Sequence, residues 1–518
     1  MMLRGKPLAV VALIVGAIAA SVYATRLGYA PIYLTHDEVN FSLQSVSIAQ
    51  TGRDLNGRWF PVYFSEPEFT AGRDPMMIYI TALALAVLPL SDAAVRLPTA
   101  LVGVVTIVLL LILWARISPR PWTAVVAAMC LLCSPGWFIH SRLALSVIYP
   151  LPFVVIWLLA IRQYEVQPRP IWLLAGCASL GLGIYGYLAG LVMMPIYVAM
   201  TVWLTRAWRS PWLLLTIAAG FGIVLLPIAI WHLFHPERYA ELLHAYRMDA
   251  PRQAAAGLPL VALEGVRARL GAWWQYFNPD FLFLAGDTSM TNSTRSAGLF
   301  PAAFVVLLPI GMMRLVRGSR FERIVLVGLL TGPLAAIATG TIDLNRYRAL
   351  FVLPFGALVA AYGFEGWWAS PHRWKRVTAV LLLLSLPWQF QAFYRDYMHR
   401  YRDASSVWFG QNIKGALAEV FERRVTGEPL LVSRNVPYAD VYTRFYSQVI
   451  HPESAPETPM VIDGDTFDGR AASPRSWLIA AADERWLSSL TTSEWELIAL
   501  IREPSGQTSF AVYHRLAP

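Results

Sequence analysis

Residues 1–28, MMLRGKPLAVVALIVGAIAASVYATRLG, begin with a basic stretch (Arg4, Lys6) and continue as an apolar run. Such a run is either a secretory signal or a first membrane helix. The rest of the chain decides. Apolar segments recur at about 76–90, 94–115, 121–139, 143–161, 171–187, 189–205, 211–234, 297–313, 324–340, 347–364 and 377–393. Many approach the ~20 residues that cross a hydrocarbon core. With so many later spans, 8–28 reads as an uncleaved first helix. The runs are continuously apolar and do not alternate, so they are helices and not barrel strands. The expected fold is a polytopic α-helical membrane protein.

Composition agrees. The 518 residues are 56% hydrophobic and 14% charged, against about 25% charged in soluble chains. The formal charge of +9 reflects Lys and Arg held in cytoplasmic loops, not nucleic acid as a partner. Twenty Trp and 22 Tyr suit interfacial belts, with Trp273-Trp274 and Trp367-Trp368 as examples. Cys130, Cys133 and Cys177 all lie in apolar runs. The CxxC they include lacks a strand or a second pair, so they read as small buried residues.

Arg4 and Lys6 kept inside place the next polar stretch, residues 29–75, outside. Arg314, Arg317, Arg320 and Arg323 form one basic loop, and Arg373, Lys375 and Arg376 another; both should be cytoplasmic. The loop 235–296 and the chain after 397 are then outside. An inside N-terminus and an outside C-terminus require an odd number of spans. Twelve segments are visible, so 11–13 transmembrane helices are expected, with the discrepancy falling within 76–207. The expected division is a membrane domain, 1–397, and an extracytoplasmic C-terminal α/β domain, 398–518. In the latter, residues 430–450 and 476–485 alternate between strand and helix patterns, and FAVYHRLAP reads as a last strand.

IYLTHDEVNF, residues 32–41, places His36, Asp37 and Glu38 just beyond the first apolar run. The other hard-to-explain charges on the expected outer side are Arg73, Asp74, Arg142, Asp280, Asp287, Arg295, Arg346 and Arg348. A charge at a helix centre costs ~2.5–3.5 kcal/mol on insertion scales. The cost is lower at the membrane edge, but several charges meeting there suggest a lined cavity. Arginines suit phosphate; carboxylates serve as a base or bind a cation. Neighbouring helical residues point about 100° apart, so one acid of the pair faces the reacting atoms and the other holds an arginine or a metal. The competing reading is a solvated pair capping the next helix, with Asp37 as N-cap. His36 either tunes Asp37, meets a donor phosphate when protonated, or is a plain surface histidine.

THDEVNFSLQSVSIAQTGRDLNGRWFPVYF (35–64), RDPMMIYITALALAVLPLSDAAVRLPTALVG (73–103) and HSRLALS (140–146) resemble the bacterial glycosyltransferase family 39 type. Its relatives are protein O-mannosyltransferases and lipid A aminoarabinose transferases. The segments 276–300, 339–367 and 401–413 continue the resemblance, which spans most of 30–450. It implies a GT-C fold and a polyprenyl-phosphate sugar as donor. It also implies transfer to an envelope acceptor (lipid, glycan or protein) outside the bacterial cytoplasmic membrane. The family's catalytic acid in the first outer loop falls on Asp37. Many relatives have a proline pair where this chain has Arg73-Asp74-Pro75, which leaves Asp74 without a carried-over role.

In an inverting transfer Asp37 takes the acceptor hydroxyl's proton while lipid phosphate leaves on the opposite face. Arginines neutralise the departing phosphate, the candidates being Arg73, Arg142, Arg295, Arg346 and Arg348. A lipid phosphate leaving group makes no cofactor obligatory, and a divalent cation is permitted but not required.

Other signals read more simply. GLGIYG (181–186) lies in an apolar segment without a preceding strand, so packing or a turn is favoured over nucleotide binding. His232, His235 and Glu237 have metal-ligand types but read as interfacial polar residues. NST at Asn292 is either a sequon match or a polar lining beside Arg295. Tyr79, Tyr185 and Tyr187 either anchor at the interface or line a sugar or lipid path. The alternative function is a multi-span transporter or flippase-like protein for a lipid-linked or anionic substrate. The absence of an internal repeat and the one-sided charges weigh against it. A binding scaffold with a decayed site is opposed by the intact HDE block.

Overall fold

A computed structural model describes residues 6–66, 69–236, 263–338, 346–453, 456–490 and 494–516. Much of the second polar loop (237–262) and part of the later one (339–345) lie outside the described residues. Glu237 therefore does too. Contacts divide the chain into two units. One comprises Met1–Thr25, Arg58–Ile80 and Leu97–Tyr394; the other comprises Arg26–Gly57, Thr81–Arg96 and Arg395–Pro518. The break at 394/395 lies close to the boundary expected at 397/398, and residues 26–57 and 81–96 join the C-terminal unit. The acid-bearing segment shares a unit with the C-terminal chain, because polarity marks which residues leave the membrane but not what they pack against.

Among the described residues, five helices are long and apolar enough to cross a membrane: Pro7–Ala24, Asp92–Ile117, Ser146–Val166, Arg320–Ala338 and Arg373–Ala404. Two of the expected spans are instead bent pairs. Pro121–Leu132 and Pro135–Ser141 meet at 67°, and Pro211–Ile223 and Leu226–Phe234 at 57°. Pro135 and Pro227 each stand in the first turn after the break, where a missing N–H and a fixed φ are tolerated but a continuous helix is not. The run 76–90 forms only the helix Pro75–Leu85. Three other apolar helices are also short: Pro170–Ile184, Gly190–Thr205 and Phe304–Val316.

In the first unit, glycine sets how closely helices approach. A Cβ on Gly311 would meet the Val359 carbonyl, and one on Gly363 the Leu307 carbonyl. The helices Phe304–Val316 and Val352–Trp368 therefore touch nearly backbone to backbone. GLGIYG is part of the same packing. A Cβ on Gly181 would lie 2.8 Å from the Phe221 carbonyl oxygen, and one on Gly186 2.9 Å from the Pro150 nitrogen. All three cysteines are buried free thiols.

The second unit contains a five-stranded mixed sheet in the order Met460–Ile462, Leu430–Ser433, Trp477–Ala481, Thr508–Arg515, Trp495–Arg502. The first three strands are mutually parallel and the last two pairings are antiparallel. The register pairs Leu431 with Met460 and with Leu478, and Leu478 with Tyr513. Leu431, Leu478 and Trp495 form a core packed by Phe467 and Trp486. The α/β character expected of the C-terminal chain is present. Its helix Ala439–Ile450 packs on the helix His36–Thr51, and Tyr442 donates to the Leu34 carbonyl at 3.0 Å.

Gly363→Leu should separate the Phe304–Val316 and Val352–Trp368 helices and lower the midpoint of thermal unfolding in detergent by several degrees or abolish insertion. Leu at Gly222, where a Cβ would meet nothing within 4 Å, should leave the midpoint within error.

Candidate active site

The helix His36–Thr51 begins with Thr35 as its N-cap, not Asp37. The Thr35 hydroxyl accepts from the Glu38 N–H at 3.2 Å, and the Glu38 carboxylate accepts from the Thr35 N–H at 2.9 Å. This is a capping box, the reciprocal pairing of two otherwise unsatisfied donors. His36, Asp37 and Glu38 thus occupy the first three helical positions.

The two acids have different surroundings. Glu38 is fully buried and faces Arg96, also fully buried. Arg96 Nε donates to Glu38 Oε1 at 2.8 Å and Nη2 to Oε2 at 3.1 Å. Its other N–H groups reach the carbonyls of Leu27 (3.0 Å), Pro31 (2.8 Å) and Tyr33. All five guanidinium donors are therefore used. A buried ion pair is tolerated only with such geometry, since desolvation of each charge costs several kcal/mol. Asp37, by contrast, retains 34% of its side-chain exposure and lies 3.6 Å from His36 Nε2. His36 stacks on Tyr438 with ring centroids 4.0 Å apart and planes 3° apart. Tyr438 holds that position with φ +55°, a strained backbone for a bulky residue. Burial, followed by the charges of Glu38 and Asp37, pushes the Tyr442 phenol well above its ordinary range, so it stays a neutral donor to Leu34.

The first unit holds the other expected site residues. Asp74 is buried and accepts from the Leu188 N–H at 3.0 Å, fastening the turn after GLGIYG. Tyr79 donates to the Pro61 carbonyl at 2.9 Å, and Tyr185 to the Val224 carbonyl at 2.6 Å. Arg142 is fully buried, and its Nη1 donates at 2.8 Å to both Tyr23 and Thr25 carbonyls. It satisfies the end of the helix Lys6–Ala24, whose last carbonyls lack intrahelical partners. Arg295 is exposed, with φ +57°, and its Nε donates to the Thr288 carbonyl at 2.7 Å. Asn292 donates to the buried Asp287 carboxylate at 3.3 Å, an arrangement that suits the polar-lining reading of NST. Arg348 lies 5.7 Å from the Tyr347 ring centre, within the helical turn Arg346–Ala349. The side chains of Arg73 and Arg346 lie outside the described residues. Trp231 stacks on His235 at 4.6 Å, and His232 packs against Tyr63 at 5.6 Å. Among the described residues, no group of three or more His, Cys, Asp or Glu is arranged to hold a metal.

Sequence reading missed Arg96, Tyr438 and Tyr442. Arg96 was detectable as the R of the RLP block, a cation one turn inside the 26-residue apolar helix Asp92–Ile117, where an unpaired charge is disfavoured. Nothing local marked the two tyrosines.

Replacing Arg96 with Met should leave Glu38 buried without its partner and destabilise the second unit by about 3–5 kcal/mol. The double variant Glu38→Gln/Arg96→Met should recover part of that loss in thermal unfolding followed by tryptophan fluorescence. Equal midpoints for the single and double variants would refute the coupling.

Comparison with known proteins agrees with this architecture. Residues 69–231 match the family model for dolichyl-phosphate-mannose-protein mannosyltransferase. No curated protein matches the chain in sequence. The fold is similar to that of ArnT from Cupriavidus metallidurans bound to undecaprenyl phosphate. That match has a TM-score of 0.59 and 15% identity over 99% of both chains. The apo form of the same protein gives 0.57 and 16%, over 99% of this chain and 100% of that one. An oligosaccharyltransferase from Archaeoglobus fulgidus, tethered with an acceptor peptide, gives 0.51 and 14% identity, covering 88% of this chain and 61% of that one. The chain is thus a polytopic helical membrane protein with the GT-C fold, similar over residues 69–231 to the mannosyltransferase family model.

Proposed function

We propose that the protein moves a sugar from a polyprenyl-phosphate donor to an envelope acceptor at the outer face of a bacterial cytoplasmic membrane, with inversion and with Asp37 as general base. The observation that carries this reading is the different environment of the two adjacent acids. Glu38 is sealed by Arg96 and by the capping box. Asp37 stands on the same first turn with its carboxylate partly exposed. A base must reach the proton that it takes, and Asp37 is the acid of the pair that can.

The reaction needs a counter-charge as lipid phosphate leaves. Arg73, Arg142, Arg295, Arg346 and Arg348 are the candidates for this role, and Arg142 and Arg295 also serve backbone carbonyls. This assignment rests on their chemistry. Asp74 and Tyr79 act as supports for the backbone around 61 and 188. His36, stacked on Tyr438, sits beside the Asp37 carboxylate and steadies it. The sugar is a hexose or pentose, and the acceptor is a lipid, glycan or protein hydroxyl or amine. Transfer requires no cofactor, and a divalent cation would serve only to screen phosphate.

Asp37→Asn should lower transfer from a polyprenyl-phosphate-linked sugar by about 10²–10⁴-fold, with unchanged elution and thermal midpoint. Retention of most of the turnover would move the base to another carboxylate. The readout is mass spectrometry of envelope lipids and glycans from cells with and without the gene, which names sugar and acceptor together. Alanine at the arginine that meets the departing phosphate, among Arg73, Arg142, Arg295, Arg346 and Arg348, should raise the donor concentration needed for half-maximal transfer, and unchanged donor dependence in all five variants would reject the role.

A further inference from the structure

The first unit holds a groove lined by none of the residues assigned to transfer. Arg120, Trp368, Ser370, Arg376, Val380 and Leu381 are among its lining residues, and its volume is about 610 Å³. It opens between the end of the helix Val352–Trp368 and the start of the helix Arg373–Asp396. Its lining combines two arginines with apolar side chains.

The charge is fixed in place. Glu365 is fully buried. Its Oε1 accepts from the Ser118 hydroxyl at 2.8 Å and lies 3.6 Å from Arg120 Nη1, while Oε2 lies 3.9 Å from Arg314 Nη1. Two guanidinium groups share one carboxylate, so this cluster carries a net positive charge before Arg376 is counted. Arg376 is exposed and uses Nη2 on the Pro371 carbonyl at 3.1 Å, which directs its head toward the 369–371 turn. Trp122 packs edge-on against Trp368 at 5.4 Å, and Trp367 against Trp374 at 5.7 Å. Such rings mark the depth of the membrane interface. From there Val377, Val380 and Leu381 continue down one helix into the apolar part of the span.

A site with two guanidinium groups at headgroup depth and an aliphatic wall below them has the chemistry of a phospholipid. We propose that this groove binds an anionic phospholipid, with its phosphodiester between Arg120 and Arg376 and an acyl chain along Val380 and Leu381. The proposal is independent of the donor chemistry assigned to Asp37. Charge complementarity selects the occupant: a zwitterionic lipid brings its own cation toward two arginines, whereas phosphatidylglycerol does not.

The test is native mass spectrometry of the full chain in detergent titrated with phosphatidylglycerol or phosphatidylcholine. Phosphatidylglycerol should be retained in preference, and Arg120→Gln/Arg376→Gln should weaken its apparent affinity by about tenfold. Because Arg120 neighbours a buried carboxylate, Arg376→Gln alone and the groove-filling Val380→Trp serve as second variants. Each should reduce retention while the thermal midpoint stays unchanged, and Arg209→Gln, an exposed arginine elsewhere in the same unit, should not. Equal retention of the two lipids, or undiminished phosphatidylglycerol binding in both Arg376→Gln and Val380→Trp, would overturn the proposal.

Discussion

The Arg96–Glu38 pair is the constraint on which the acid-bearing segment depends. Residues 27–35 belong to no helix or sheet, so their carbonyls need donors from elsewhere. Arg96 supplies them to Leu27, Pro31 and Tyr33 while holding both oxygens of Glu38. A lysine has three donors on a point charge and cannot make this planar set. With Glu38 fixed at the third helical position, the capping box with Thr35 closes and the helix must start at His36. Asp37 is then one residue from a buried ion pair but turned away from it. The two carboxylates differ because a single guanidinium holds one of them.

The remaining polar residues follow the same economy of donors and acceptors. Arg142 and Asp74 look like active-site charges in the sequence. In the fold, one terminates the first helix and the other anchors the turn at Leu188. Inside a membrane, a helix end or a turn has no water to satisfy it, so a buried charged side chain is an effective plug. Residue type alone does not separate a charge that completes the scaffold from one that meets a substrate. The partner atoms do.

Much of the architecture was nevertheless legible. Apolar runs reported the helices, and the alternation after residue 430 reported strands and helices of a mixed sheet. GLGIYG was readable as packing because glycines in an apolar run allow backbones to approach. What composition could not show was where a run breaks. A 19-residue apolar stretch containing Ser134-Pro135 bends by 67°, and hydropathy does not register a lost backbone hydrogen bond. Nor could it show that residues 26–57 fold with residues 395–518, since that pairing joins segments that lie far apart in the sequence.

Taken alone, the chain determined its solvent and the family it resembles. The uninterrupted apolar runs require a bilayer, and the HDE and RLP blocks carry the resemblance to a lipid-phosphate-dependent sugar transferase. Both are properties of residue type and spacing, which linear order preserves. Only the tertiary structure decided which acid is buried and which arginines are already occupied. Those outcomes depend on distances of about 3 Å between atoms remote in sequence, and no local pattern encodes such a distance.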